Sequence, residues 1–261
     1  MLAALLLLAP AAEPVAAMEA KSAAAVHETA LADFGFETLF NGSDLSGWKV
    51  PEGDGGHWRV LQADAGPVID YDARSEAAGD KSLTTEKSFG DFVLEMEWRV
   101  NEQPPVGPTP LVMPDGSYLR DAAGNPVEVP RPNADSGVYI RGTSRAQINI
   151  WGWPVGSGED YGFRHAESNP PRQRAAFTPR LRADRPLGEW NRFTIVAVGD
   201  TVTVLLNDQT VLDRAKLPEG TPASGPLTLQ HHGGPGPDGA MRPSSSLVQF
   251  RNLRIKELPT N

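Results

Sequence analysis

Four short stretches of the chain carry polar and aromatic residues two positions apart. They are Glu95-x-Glu97 in DFVLEMEWRV, Tyr139-x-Arg141 in SGVYIRG, Gln147-x-Asn149-x-Trp151 in AQINIW, and Gln230-x-His232 in PLTLQHH. Side chains at i and i+2 of an extended strand share a face. Each stretch therefore presents polar groups on one side and apolar groups on the other. Amides and guanidinium groups bind the hydroxyls of a sugar, and flat rings cover its C–H faces. A pair of carboxylates is the usual equipment of glycosidic bond cleavage. Two glutamates at this spacing also make ordinary cross-strand contacts. An imidazole that titrates near neutral pH is a natural proton carrier. Strand parity with Leu227 and Leu229 puts His232 beside Gln230 on the polar side and turns His231 inward.

The segment WGWPVGSGEDYGFRH (151–165) adds Trp151, Trp153, Tyr161 and Phe163 as a stacking wall or as a hydrophobic cluster beneath a loop. Glu159, Asp160 and His165 match no strong ligand spacing, so no metal site is assigned and no cofactor is expected, with a divalent ion left open. The phosphate-binding loop, dinucleotide fingerprint, Gly-x-Ser-x-Gly elbow and His-Glu-x-x-His motif are all absent from the sequence.

These residues need strands to position them. DFVLEMEWRV (91–100) alternates most cleanly, with Phe92, Leu94, Met96 and Trp98 on the core side. HWRVLQ (57–62), SGVYIRG (136–142), AQINIW (146–151), PLTLQHH (226–232) and LVQFRNLRIKEL (247–258) read as further strands. RFTIVAVG (192–199) is apolar on both faces, which suits a central strand. It leads through Gly199-Asp200, a hairpin signature, into TVTVLLND (201–208). Residues 101–133 and 152–189 read as long loops. The 26 glycines and 24 prolines favour turns over long helices. About nine strands without strand–helix alternation give an all-β fold, a two-sheet antiparallel β-sandwich of jelly-roll type.

The formal net charge of −9 leaves no basic face for nucleic acid or an anionic membrane surface. There is no cysteine, so disulfides are excluded. Residues 2–9 form an apolar run too short to span a bilayer, followed by small residues that suit cleavage after Ala17. The expected organisation is a signal peptide (1–17), a linker or loose helix (18–33) and one β-sandwich domain (34–258). The expected location is periplasmic or secreted. No membrane span is expected.

An ordered series of short motifs then becomes informative. It comprises Phe40-Asn41-Gly42 with Asp44-Leu45-Ser46-Gly47-Trp48, then Phe89-Gly90-Asp91-Phe92, and Asp135-Ser136-Gly137-Val138-Tyr139-Ile140-Arg141-Gly142. It continues through Gly188-Glu189-Trp190-Asn191, Gly225-Pro226-Leu227-Thr228-Leu229-Gln230, and Phe250-Arg251-Asn252-Leu253-Arg254-Ile255-Lys256. The series resembles the 3-keto-disaccharide hydrolase domain family, formerly domain of unknown function 1080, over roughly residues 36–258. The family often carries Glu-x-Gln where this chain has Gln147-x-Asn149. The resemblance implies a concanavalin A-like lectin/glucanase sandwich with a carbohydrate in a concave cleft. It implies a glycoside-cleaving enzyme acting on 3-keto-glycosides or related sugars, with elimination and hydration as a route. Under that reading His232 or Glu97 is the acid or base and Arg141 holds an enolate oxygen. Glu95, Tyr139, Gln147, Asn149 and Gln230 bind substrate, and Trp151 or Trp153 stacks on the ring. A non-catalytic, lectin-like glycan-binding module of the cell envelope is the alternative on the same scaffold.

Overall fold

The protein is described by a computed structural model over residues 34–63, 65–72, 81–101, 104–166, 168–231, 234–235, 241–242 and 248–259. The expected signal peptide and linker, and His232, lie outside the described residues. The chain divides into a leading unit, residues 1–37, and a body, residues 38–261.

The strands, in chain order, are β1 (Glu37–Thr38), β2 (Trp48–Lys49), β3 (Trp58–Ala63), β4 (Gly66–Tyr71), β5 (Leu83–Phe89) and β6 (Phe92–Val100). Next come β7 (Val106–Pro110), β8 (Glu128–Pro132), β9 (Asp135–Tyr139), β10 (Gln147–Trp151), β11 (Asn191–Val198) and β12 (Thr201–Leu206). The series ends with β13 (Gln209–Lys216), β14 (Gly225–Leu229), β15 (Gly234–Pro235), β16 (Met241–Arg242) and β17 (Val248–Glu257). Two short helices, α1 (Tyr161–Arg164) and α2 (Pro171–Ala176), sit between β10 and β11.

The main strands form two antiparallel sheets. The larger runs β13-β12-β11-β6-β17-β4-β3, and the smaller runs β10-β9-β14-β5-β2. Phe92, Leu94, Met96 and Trp98 of β6 are at most 2% exposed. They pack in one core with Val138, Ile148, Ile150, Leu227 and Leu229 of the smaller sheet, which makes the body a β-sandwich. Each such side chain contributes about 1.5–3 kcal/mol through burial. β11 lies between β6 and β12, the central position that its two apolar faces required.

Turn chemistry sets the registers. Gly199 has φ 54° in the β11–β12 hairpin. Asn207 and Asp208 are both left-handed, at φ 51° and 66°, as a two-residue type I′ turn demands. β12 therefore stops at Leu206, short of the Asp208 that alternation alone suggests. The segment 101–133, expected as a loop, contains the β7–β8 ribbon, paired from Val106↔Pro132 to Pro110↔Glu128. Its prolines hid it, yet they are tolerated because each strand of a two-stranded ribbon needs hydrogen bonds on one side only. In 152–189, also expected as a loop, Asp160 caps α1 by accepting from the Phe163 N–H, and Pro171 opens α2 at the position where a missing N–H costs nothing.

Candidate functional site

The outward face of the smaller sheet gathers most of the polar residues. β9 and β10 pair as Tyr139↔Gln147, Gly137↔Asn149 and Asp135↔Trp151, so these six residues share one face. Gln147 Nε2 donates to Gln230 Oε1 at 2.7 Å and also to Asn149 Oδ1. To reach Gln230 the Gln147 side chain crosses β9 at Gly137. A Cβ there would stand 3.1 Å from Gln147 Nε2 and 2.8 Å from the Ile148 carbonyl oxygen. The glycine is the gap through which the amides meet. Gln147, Asn149 and Gln230 are 7%, 1% and 8% exposed, so their bonds form largely out of water.

Beyond β10 the chain returns alongside it. Asn149 N–H donates to the Glu159 carbonyl and Gly158 N–H to the Asn149 carbonyl, with Ile148 opposite Asp160. This places the Glu159 side chain toward the outer face and that of Asp160 toward the interior. Glu159 is fully buried and accepts from Arg164 Nε at 2.6 Å and Nη2 at 3.2 Å. Burial pushes its carboxyl up to about 7, an effect that Arg164 only partly offsets and that neighbouring Asp135 reinforces. Burial likewise holds Asp160 well above the usual carboxylate range. The Arg164 guanidinium lies over the Tyr118 and Tyr161 rings, 5.3 and 5.5 Å from their centroids. Tyr161 stacks on His165 at 4.9 Å and meets Trp151 edge-on at 5.6 Å.

The convergence expected of Glu97, Arg141 and Asn149 does not occur. Glu95 and Glu97 lie on the outer face of the other sheet, where Arg254 donates to Glu95 at 2.9 Å and Arg251 to Glu97 at 2.6 Å. Arg99 donates there to Gln249, and Trp190 lies under both Arg99 and Arg251. Alternation assigns residues to one face of their own strand and is silent about which sheet that strand joins. Arg141 is a second correction. Its φ of 57° takes the chain out of the strand just past β9, so the parity with Tyr139 ends before it. Its guanidinium is 3% exposed and clasps Asp91 at 3.0 Å and the Ala223 carbonyl at 2.8 Å. Trp151 does sit on the amide face, but it is 5% exposed and stacked under Trp153 at 3.9 Å, so the half-buried ring of Trp153 is the outer one. The face thus brings together Tyr139, Gln147, Asn149, Trp151, Trp153 and Gln230. Glu95, Glu97 and Arg141 lie apart from it, and His232 is outside the described residues. His231 packs against Tyr71 at 4.4 Å in the interior.

A family model for the 3-keto-alpha-glucoside-1,2-lyase-like domain matches residues 35–256. The chain belongs to that family. Two solved proteins of Parabacteroides distasonis, provisionally described as glycosyl hydrolases, share the fold. One is 22% identical, with 86% of this chain and 84% of that chain covered and a TM-score of 0.51. The other is 19% identical, with 87% and 95% covered and a TM-score of 0.51. No curated protein matches significantly. Membership makes this a carbohydrate-active domain.

Within this 3-keto-alpha-glucoside-1,2-lyase-like domain, sequence reading missed three neighbours of the amides. Asp135 follows from the same parity as Gly137 and Tyr139 and was available from the strand pattern. Glu159 and Arg164 were not, because a loop returning along β10 leaves no periodic signal. Among the described residues no group of three or more His, Cys, Asp or Glu side chains is placed to hold a metal ion. None of their helices is long and apolar enough to cross a membrane.

Proposed function

We propose that the amide face of the smaller sheet binds 3-keto-glycosides and cleaves them by elimination followed by hydration. The observation that carries this reading is the Gln147–Asn149–Gln230 cluster set beside Asp135 and the Glu159–Arg164 pair. A ketone at C3 acidifies the C2 proton. A base removes that proton, the electron pair forms the C1–C2 double bond through the enolate, and the C1–oxygen bond breaks with a proton passing to the leaving sugar. Water then adds back at C1. Asp135, half-buried on this face, and His232, two residues beyond Gln230, are the acid–base groups of this proposal. The amides of Gln147 and Gln230 and the Tyr139 hydroxyl are the donors for sugar hydroxyls and for the enolate oxygen. Glu159 is a positioning residue. It fixes the Arg164 guanidinium, and Trp153 supplies the outer ring for stacking. Export through the leading segment belongs to the same proposal.

The test is turnover of a 3-keto-glucoside by the full chain and by Asp135→Asn, His232→Ala and Gln230→Ala. The wild type should release the aglycone, and Asp135→Asn or His232→Ala should slow release by about a hundredfold or more. Full activity in both of these variants would remove the acid–base assignment. Glycan binding by a wild type that turns nothing over would establish the lectin-like reading, which an amide cluster and a stacked tryptophan pair would also serve.

A further inference from the structure

We propose that a cavity beside this face is a subsite for an anionic sugar unit, so that the substrate is a disaccharide or longer glycoside with an acidic residue next to the unit cleaved. The inference rests on the amide face being the carbohydrate site. The cavity, of 380 Å³, lies between the turn at Gly116–Tyr118 and helices α1 and α2. That volume is at the small end of the range for small-molecule sites.

Three arginines line it, Arg120, Arg164 and Arg174, together with Ser117, Tyr118 and His165. No carboxylate is among its lining residues, in a chain whose net charge is −9. Arg120 is held by the Gly124 carbonyl at 2.8 Å, and Arg164 by Glu159. The Arg174 Nε is buried and makes no hydrogen bond within the described residues. Arg174 as a whole is half-buried and has Asp115 within electrostatic reach, and its unsatisfied Nε is a donor that an oxyanion would satisfy. The planar fork of arginine matches carboxylate and phosphate oxygens in pairs.

The turn is built to close over α2. Gly116 has φ +78°, and a Cβ there would stand 2.8 Å from Arg174 Cβ and 2.9 Å from Thr178 Oγ1. This close approach brings the turn onto α2, and the Tyr118 ring packs against the Arg164 guanidinium. The Tyr118 hydroxyl lies 3.1 Å from His165 Nδ1. From there, rings follow one another toward the amide face, Tyr118–His165 at 6.0 Å, His165–Tyr161 at 4.9 Å, Tyr161–Trp151 at 5.6 Å and Trp151–Trp153 at 3.9 Å. Arg164 belongs to both places, since it lines the cavity and holds Glu159 beside Asn149. A glycoside reaching from the amide face past the half-buried Trp153 and Tyr161 rings would set its neutral 3-keto unit on the amides and its acidic unit on the arginines.

Calorimetric titration of the full chain with D-glucuronate, D-glucose 6-phosphate and D-glucose tests the subsite, with Arg174→Ala and Arg120→Ala as variants and melting curves to confirm folding. At least one anion should bind about tenfold or more tightly than glucose, and either variant should remove that preference. Glucuronate ahead of the phosphate identifies a carboxylate, and the reverse order identifies a phosphate; either order supports the subsite. Equal binding of all three, binding of none, or a preference untouched by both variants would overturn it. If the preference fails while a neutral 3-keto-glucoside is still turned over, the subsite alone is lost. If turnover fails while the preference stands, the enzymatic reading alone is lost.

Discussion

Replacing Glu159 by glutamine keeps the shape of the buried pair and removes its ionisation. In the wild type the folded carboxyl binds its proton up to about pH 7, against 4.5 for the ordinary group. Between those values the folded state holds a proton that the unfolded chain has released. Stability from this site is therefore complete below pH 4.5 and is lost as pH rises through 7. The rise from 4.5 to about 7, at about 1.4 kcal/mol per tenfold change in proton affinity, amounts to on the order of 3 kcal/mol. Glu159→Gln has no such slope. In acid, where the wild-type carboxyl is itself neutral, the variant should lie within about 1 kcal/mol of the wild type, and it should gain on the order of 3 kcal/mol relative to the wild type across the interval. Urea unfolding followed by tryptophan fluorescence reads this directly, since Trp48, Trp58, Trp98 and Trp151 are all buried. Parallel stability curves for the two proteins would refute the reasoning. A variant that loses ground with rising pH would show that attraction to Arg164 outweighs burial and holds the carboxyl low.

Other substitutions separate the two faces of the sandwich. Glu97→Gln breaks a partly exposed pair with Arg251 and should change stability by less than about 1 kcal/mol while leaving 3-keto-glucoside turnover intact; lost turnover would bring Glu97 back into the reaction. Gly137→Ala puts a methyl group between Gln147 and Gln230, and should weaken sugar binding by about tenfold in titrations, with a stability loss of about 1–3 kcal/mol. Asp91→Asn removes a carboxylate that accepts from both Arg141 and the Gly199 N–H, and should cost about 1–3 kcal/mol in denaturant without altering sugar affinity.

The sandwich was legible because period-two alternation is a direct trace of one buried face. Met96, Ile150 and Leu229, turned inward by pattern alone, are core residues. The amides at 147, 149 and 230 were legible for the same reason. The errors begin where the period says nothing. It cannot tell which sheet takes β6, so Glu95 and Glu97 were grouped with residues of the opposite layer. It cannot survive the left-handed residue at Arg141, which ended the strand and redirected the guanidinium to Asp91. β5 was hidden because LTTEKSF carries mostly polar residues, and β13 because its pairing with β12 is broken by register shifts. Arg164 and Glu159 meet through a loop whose path depends on tertiary contacts, and no local pattern announces it.

The return of residues 158–160 along β10 has a consequence for solubility. An unpaired outer strand is a template on which a second molecule can add its own strand, and β10, with Ile148 and Ile150 at its centre, would be an adhesive one. The returning segment occupies its free amide and carbonyl groups, and the Glu159–Arg164 link helps to clamp that segment shut. Damage to this clamp would surface first as self-association on concentration or warming, ahead of any global unfolding.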